Sequence, residues 1–257
     1  MLKRIIQKGY RNLILVTLFF PLSALAQQAD TLDILFVGNS YTYFWNLPQH
    51  VNLMAASQGR SFASRQSTAG GSNWEHHLKG ERDLRSVELI RQEGWEYVVL
   101  QNHSMSTLNR LAEFRKNGKT LISMIRKAGA EPVLYMTWAR EFNPLMQAPI
   151  TSGYLSLAKA ERVSVVPVGL VWAKVRALRP DLELFDPDGS HPSPVGTYLN
   201  ALIFYRFFSG AATAEIPNRL QTTDKDGEKT YLNFLTQNDA DFLQQVVDEF
   251  DFSAYKF

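Results

Sequence analysis

The chain has 257 residues, no cysteine, and 27 Lys and Arg against 25 Asp and Glu, for a formal net charge of +2. This excludes disulfides and lipid attachment at a cysteine, and the lack of a basic stripe or arginine-rich tract beyond the first segment argues against nucleic acid as a partner. With 45% hydrophobic residues, no internal repeat and no long Pro/Gly/Ser linker, the composition suits one large domain with its own core.

Residues 1–26 read as an export signal. Lys3, Arg4, Lys8 and Arg11 form a basic start, Leu13 to Leu25 is largely apolar but broken by Pro21, and Ala24-Leu25-Ala26 supplies the small-x-small cleavage pattern. The apolar run is short for a span of about twenty residues, so the expectation is an exported, periplasmic or extracellular protein without stable membrane insertion, retention as an anchor being the alternative. Residues 27–257 are then a single domain.

Ile34-Leu35-Phe36-Val37 is a continuous apolar run stopped by Gly38, as expected of a strand covered on both faces, and it delivers Asn39-Ser40-Tyr41-Thr42 at its carboxyl end. Leu47 to Ser57 has helical spacing with Gly59 as its stop, and Arg60 to Ser67 is a weaker strand. The loop Thr68 to Asn73 contains Gly70-Gly71, after which Ser72 or Asn73 caps a helix expected to run to about Arg91. Strands are predicted at Tyr97 to Gln101, Pro132 to Thr137 and Val163 to Val168, with helices at Leu111 to Lys127 and near Ser152 to Lys159. A late helix, Val195 to Phe208, precedes a more polar tail with helical spacing near Asp239 to Phe250, read as a packing element. Strands alternating with helices predict a five-stranded parallel sheet between two helical layers. Ligands of such sheets bind beyond the strand carboxyl ends, so a hydroxyl at Ser40 stands where chemistry is sought. The competing reading is that Ser40 or Thr42 only caps the next helix.

The second segment with chemical content is Asp186-Pro187-Asp188-Gly189-Ser190-His191-Pro192. Asp188 and His191 are close enough in a turn for the carboxylate to receive the imidazole Nδ1–H while Nε2 faces outward, which fixes the tautomer a general base for serine needs. A plain Asx-turn beside a solvated histidine is the alternative.

A Gly-x-Ser after the first strand, a Gly-Gly loop after the second, a polar turn after the third and Asp-x-x-His before the last large helix together resemble the SGNH (GDSL-like) hydrolases. The chain is most similar to the branch whose first block reads Gly-Asn-Ser-Tyr-Thr, here Gly38 to Thr42. The resemblance spans about Leu32 to Leu202 and implies a flavodoxin-like α/β/α sandwich. It further implies a serine esterase that works through an acyl-enzyme, without a cofactor, with Ser40 as nucleophile, His191 as base and Asp188 as orienting acid. Its oxyanion donors map onto the Ser40 N–H, Gly70 or Gly71, and Asn102, with Gln101 as second candidate for the amide. Two departures stand out: Leu100-Gln101-Asn102-His103-Ser104 replaces the usual Gly-x-Asn-Asp, and Asn39 replaces the common aspartate.

Two other classes compete. His50, His76, His77, His103, Asp188 and His191 supply metal-ligand types, but the rings of adjacent His76 and His77 diverge by about 100° on a helix, and there is no His-Glu-x-x-His. An exported sugar-binding module would use Trp45, Trp74 and Trp138, each of which follows a strand end or the glycine loop, to stack on a pyranose, core packing being the alternative. If these rings do contact sugar, the favoured ester is an O-acetylated carbohydrate; a small ester is the other candidate. Arg140 and Glu141, just past the fourth strand, are further candidates to reach the pocket, the alternative being exposed loop charges with no special duty.

Overall fold

The computed structural model describes residues 31–92 and 94–257, so the predicted export signal lies outside the described residues. The first half runs β1 (Leu32–Gly38), α1 (Ser40–Tyr43), α2 (Leu47–Ser57), β2 (Phe62–Thr68), α3 (Trp74–Lys79), α4 (Ser86–Arg91) and β3 (Tyr97–Leu100). There follow α5 (Ser106–Asn109), α6 (Leu111–Lys127), β4 (Glu131–Tyr135), α7 (Gln147–Glu161), β5 (Ser164–Val166), α8 (Val168–Leu178) and α9 (Pro194–Ser209). A hairpin of β6 (Arg219–Thr223) and β7 (Lys229–Phe234) and the helix α10 (Gln237–Asp248) complete the chain.

Strands β1 to β5 form one parallel sheet in the order β2-β1-β3-β4-β5. Because successive strand residues face opposite sides, β1 feeds two cores. Ile34 and Phe36 join α2, α8, α9 and α10 on one face, while Leu35 and Val37 join α3, α4, α6 and α7 on the other. The result is the expected three-layer α/β/α sandwich. The crossovers from β1 and β3 leave in opposite directions, and the crevice between their carboxyl ends is the topological switch point, where open α/β sheets bind ligands.

Three local expectations are corrected. The helix predicted to reach Arg91 breaks at Gly80, whose φ of +67° closes α3 by an N–H bond to the His76 carbonyl. Arg82 and Asp83 follow in left-handed conformation, so α4 begins afresh at Ser86. The strand predicted through Val168 is only three residues long, because Val168 already opens α8. The polar tail holds a hairpin as well as its helix, which packs Leu243, Val246 and Val247 into the first core. Among the described residues no helix is long and apolar enough to cross a membrane. The fold also gathers Arg91, Lys116, Lys119 and Lys127 from α4 and α6 around a surface depression of about 680 Å³, a basic patch that the linear sequence does not display.

Candidate active site

The turn after β1 begins with a close approach. A Cβ on Gly38 would stand 2.4 Å from Thr42 Oγ1 and 2.6 Å from Gln101 Oε1, so only glycine fits there. Asn39 rather than Ser40 caps α1: its Oδ1 accepts from the Tyr41 N–H at 3.1 Å, and its Nδ2 donates to the Ser72 carbonyl at 2.9 Å. Where an aspartate would bring acceptors alone, the amide both caps the helix and ties the β1 turn to the Gly70-Gly71 loop. The Ser40 hydroxyl is thereby left free of capping duty.

His191 reaches the same point from the far end of the chain. Its loop is closed by the Asp186 N–H on the His191 carbonyl at 2.9 Å and by the Ser193 N–H on the Leu184 carbonyl at 2.9 Å. The Ser193 hydroxyl then caps α9 at the Gly196 N–H, with Pro194 in the first helical position. His191 Nε2 lies 2.8 Å from Ser40 Oγ, and Nδ1 lies 2.5 Å from Asp188 Oδ2. Asp188 Oδ1 accepts from the backbone N–H groups of Ser190 and His191, each at 2.9 Å. The segment is therefore an Asx-turn and an acid-imidazole pair at once. Burial works to raise the Asp188 carboxyl, but its bonds to the His191 ring and to the two N–H groups outweigh it and hold the pKa below the usual value. The ring is also clamped: Phe44 stacks on it at 4.2 Å between centroids, and Tyr41 meets it edge-on at 5.5 Å.

Trp138 and Trp74 depart from the sequence-based expectation. Trp138 is 1% exposed, stacked between Tyr41 at 4.6 Å and Trp172 at 4.1 Å, and its Nε1 donates to the Ser190 carbonyl at 3.0 Å. The column supports the Ser190-His191 loop from beneath, so the ring cannot stack on a sugar. Trp74 is fully buried against Phe114, which corrects its assignment to the crevice as well. Trp45 alone is open, 45% exposed on the rim in a left-handed backbone conformation.

The amide candidates also separate. Gln101 Oε1 accepts from the Asn39 N–H at 2.8 Å and from Thr42 Oγ1 at 3.1 Å, while its Nε2 donates to the Asn102 carbonyl, so this side chain is consumed in holding the turn. Asn102 Oδ1 accepts from the N–H groups of Trp74 and His103, at 3.0 and 2.9 Å. Anchoring the oxygen twice orients the Nδ2 group, which makes no hydrogen bond to the described residues. Among the described residues, the Gly70 and Gly71 N–H groups likewise have no backbone acceptor. Ser40 is the first residue of α1, and its N–H has no intrahelical partner. Of the two glycines, Gly71 lines a cavity of about 260 Å³ together with Asn73, His103 and Ser106.

No three metal-ligating side chains converge among the described residues. His50 is buried, with Nδ1 on the Asn46 carbonyl at 3.1 Å. His76 faces Glu81 at 3.5 Å, and His103 Nδ1 accepts from the Met105 N–H at 3.2 Å. His77 is enclosed by hydroxyls: Nε2 lies 3.1 Å from Ser72 Oγ and Nδ1 lies 2.5 Å from Ser86 Oγ.

No protein-family model matches the sequence, and no curated protein does. Solved structures do. A protein from Slackia heliotrinireducens assigned to the SGNH hydrolases shares 26% identity over 69% of this chain and 98% of its own, with a TM-score of 0.58. This chain has the SGNH-hydrolase fold. A DUF4886 family protein from Bacteroides uniformis superposes over 85% of this chain and 93% of its own at a TM-score of 0.69 and 17% identity. The lipase/acylhydrolase from Enterococcus faecalis does so over 70% and 96%, at a TM-score of 0.56 and 19% identity. In the SGNH frame, Ser40 after β1 and Asn102 after β3 flank the switch point, with His191 entering from the loop before α9.

Proposed function

We propose that the chain is an SGNH-type serine esterase of the Gly-Asn-Ser-Tyr-Thr branch, exported and acting on carboxylic esters through an acyl-enzyme. The observation that carries this reading is the unbroken line from Ser40 Oγ through the His191 ring to Asp188, at 2.8 and 2.5 Å, on an SGNH-hydrolase fold. His191 Nε2 takes the Ser40 proton as Oγ bonds to the ester carbonyl carbon. The oxyanion accepts from the Ser40 N–H, a glycine N–H of the Gly70-Gly71 loop and Asn102 Nδ2. His191 then protonates the departing alcohol, and a water, deprotonated by the same nitrogen, releases the acid and restores Ser40. Asp188 keeps the proton on Nδ1 and stabilises the imidazolium. The substrate is a small ester or an O-acetyl group on a carbohydrate, and Trp45 is the open ring available to a sugar.

The test is covalent capture. A fluorophosphonate should label the purified protein once, at Ser40, and the same protein should cleave p-nitrophenyl esters with a preference among acyl lengths. Ser40→Ala should remove both label and turnover. Ester cleavage at the wild-type rate by Ser40→Ala would overturn the assignment.

A further inference from the structure

Arg140 stands beside the crevice and, among the described residues, makes no ion pair. It follows Trp138-Ala139 in the segment after β4, where the stacking of Trp138 on Tyr41 and the bond from the Glu141 N–H to the Gly189 carbonyl at 2.9 Å fix the backbone between α1 and the Asp188-His191 loop. Its Nε is buried and has no hydrogen-bond partner. The guanidinium charge acts on two groups at the site: Tyr41, which meets the His191 ring edge-on, and His103, next to Asn102. After burial, its charge contributes most to holding the His103 ring below the ordinary imidazole pKa.

Asp188 serves His191 and two N–H groups, and the adjacent Glu141, whose carboxylate lies toward Gly189, forms no ion pair with Arg140 among the described residues. Arg82, the other arginine acting on His103, already donates to the Gly70 carbonyl. An unpaired, partly desolvated guanidinium is stabilised by an anion brought to its terminal nitrogens. An arginine fork suits a carboxylate above other anions of its size, through two parallel N–H bonds.

We propose that Arg140 is the specificity residue of this crevice and selects esters that carry a carboxylate, either on the acyl group or on the alcohol. This rests on the esterase reading above. The surface next to the reacting carbonyl is then polar and cationic, and neutral esters bind there without a partner for the guanidinium.

Two matched ester pairs separate the sources of the charge: monomethyl against dimethyl succinate for the acyl side, and 4-acetoxybenzoate against its methyl ester for the alcohol side. Wild-type protein should favour the anionic member of one pair by about tenfold or more in kcat/KM, the size expected of one charge-assisted contact. In Arg140→Gln that preference should disappear, mainly through KM, and Arg140→Lys should restore part of it. An anionic-to-neutral ratio identical in wild type and Arg140→Gln for both pairs, with the esters still cleaved, overturns the proposal. Failure of the esterase reading looks different, since no ester is then cleaved. In that case calorimetry of succinate and benzoate on wild type and Arg140→Gln decides: binding lost with the arginine supports anion recognition, and no binding to wild type overturns it.

Discussion

Two histidines in this molecule are each held between a serine and a second partner, and they are wired in opposite directions. At the crevice, Ser40 donates to His191 Nε2, and Nδ1–H donates to Asp188. Behind it, Ser72 Oγ donates to the Gly38 carbonyl at 3.0 Å and must therefore accept from His77 Nε2–H. His77 Nδ1 is left to accept from Ser86, which in turn accepts from Ser67 at 2.8 Å. The first ring presents a lone pair to a serine and has an acid to stabilise its cation. The second presents a proton to its serine, has no acid, and is fully buried. A serine and a histidine in contact are thus insufficient for a nucleophile: proton direction and the group behind the ring decide. His77 instead joins the Gly38 turn to the loop that carries Gly70 and Gly71, and acts as a positioning residue.

Removing parts of each assembly should separate them. Ser40→Ala and His191→Ala should each lower kcat on ester substrates by on the order of 10⁴-fold or more, as losing a nucleophile or its base does elsewhere. His77→Gln should still be labelled at Ser40 by a fluorophosphonate, which His191→Ala should not. Comparable loss of labelling in both variants would erase the distinction between the two rings. Asn102→Ala should come next, with kcat reduced about a hundredfold or more and KM little changed, because an oxyanion donor acts on the transition state. If Gln101→Ala instead gave the pure kcat effect, the amide assignment would reverse. Since Gln101 holds the Asn39 N–H and Thr42, its loss is expected to appear first as a lower melting temperature.

Much of this arrangement is legible in the amino-acid sequence. The apolar run Ile34 to Val37, the limits of α2 and α6, and the approach of Asp188 to His191 follow from local rules of spacing and turn chemistry. Side-chain destinations do not. Trp74 and Trp138 sit where crevice residues sit, at loop and strand ends, and only tertiary stacking shows that both turn inward. The choice between Asn102 and Gln101 depends on which amide the backbone consumes, a contact made across 62 residues of chain. The β6–β7 hairpin lacks an alternating apolar pattern because only Leu220 and Asn233 in it are buried. The start of α8 is hidden in a continuous apolar run from β5, where period 2 and period 3.6 cannot be told apart.

A separate effect, on stability and not on rate, is expected in acid. Burial lowers the pKa of His77 and of His50 from 6.5 to about 4. Between those values the unfolded chain binds protons that the folded chain refuses. Stability is therefore complete above about pH 6.5 and declines as pH falls towards 4. Each ring contributes about 3 kcal/mol to that decline once both values are passed. Urea midpoints measured from pH 7.5 down to pH 4 should trace it, and His77→Gln should start lower at neutral pH, having lost the serine chain, yet fall less steeply. A variant that kept the wild-type slope would mean that His77 is protonated in the folded state. Nδ1 would then carry a proton in acid and no longer accept from Ser86, which would break the contrast with His191.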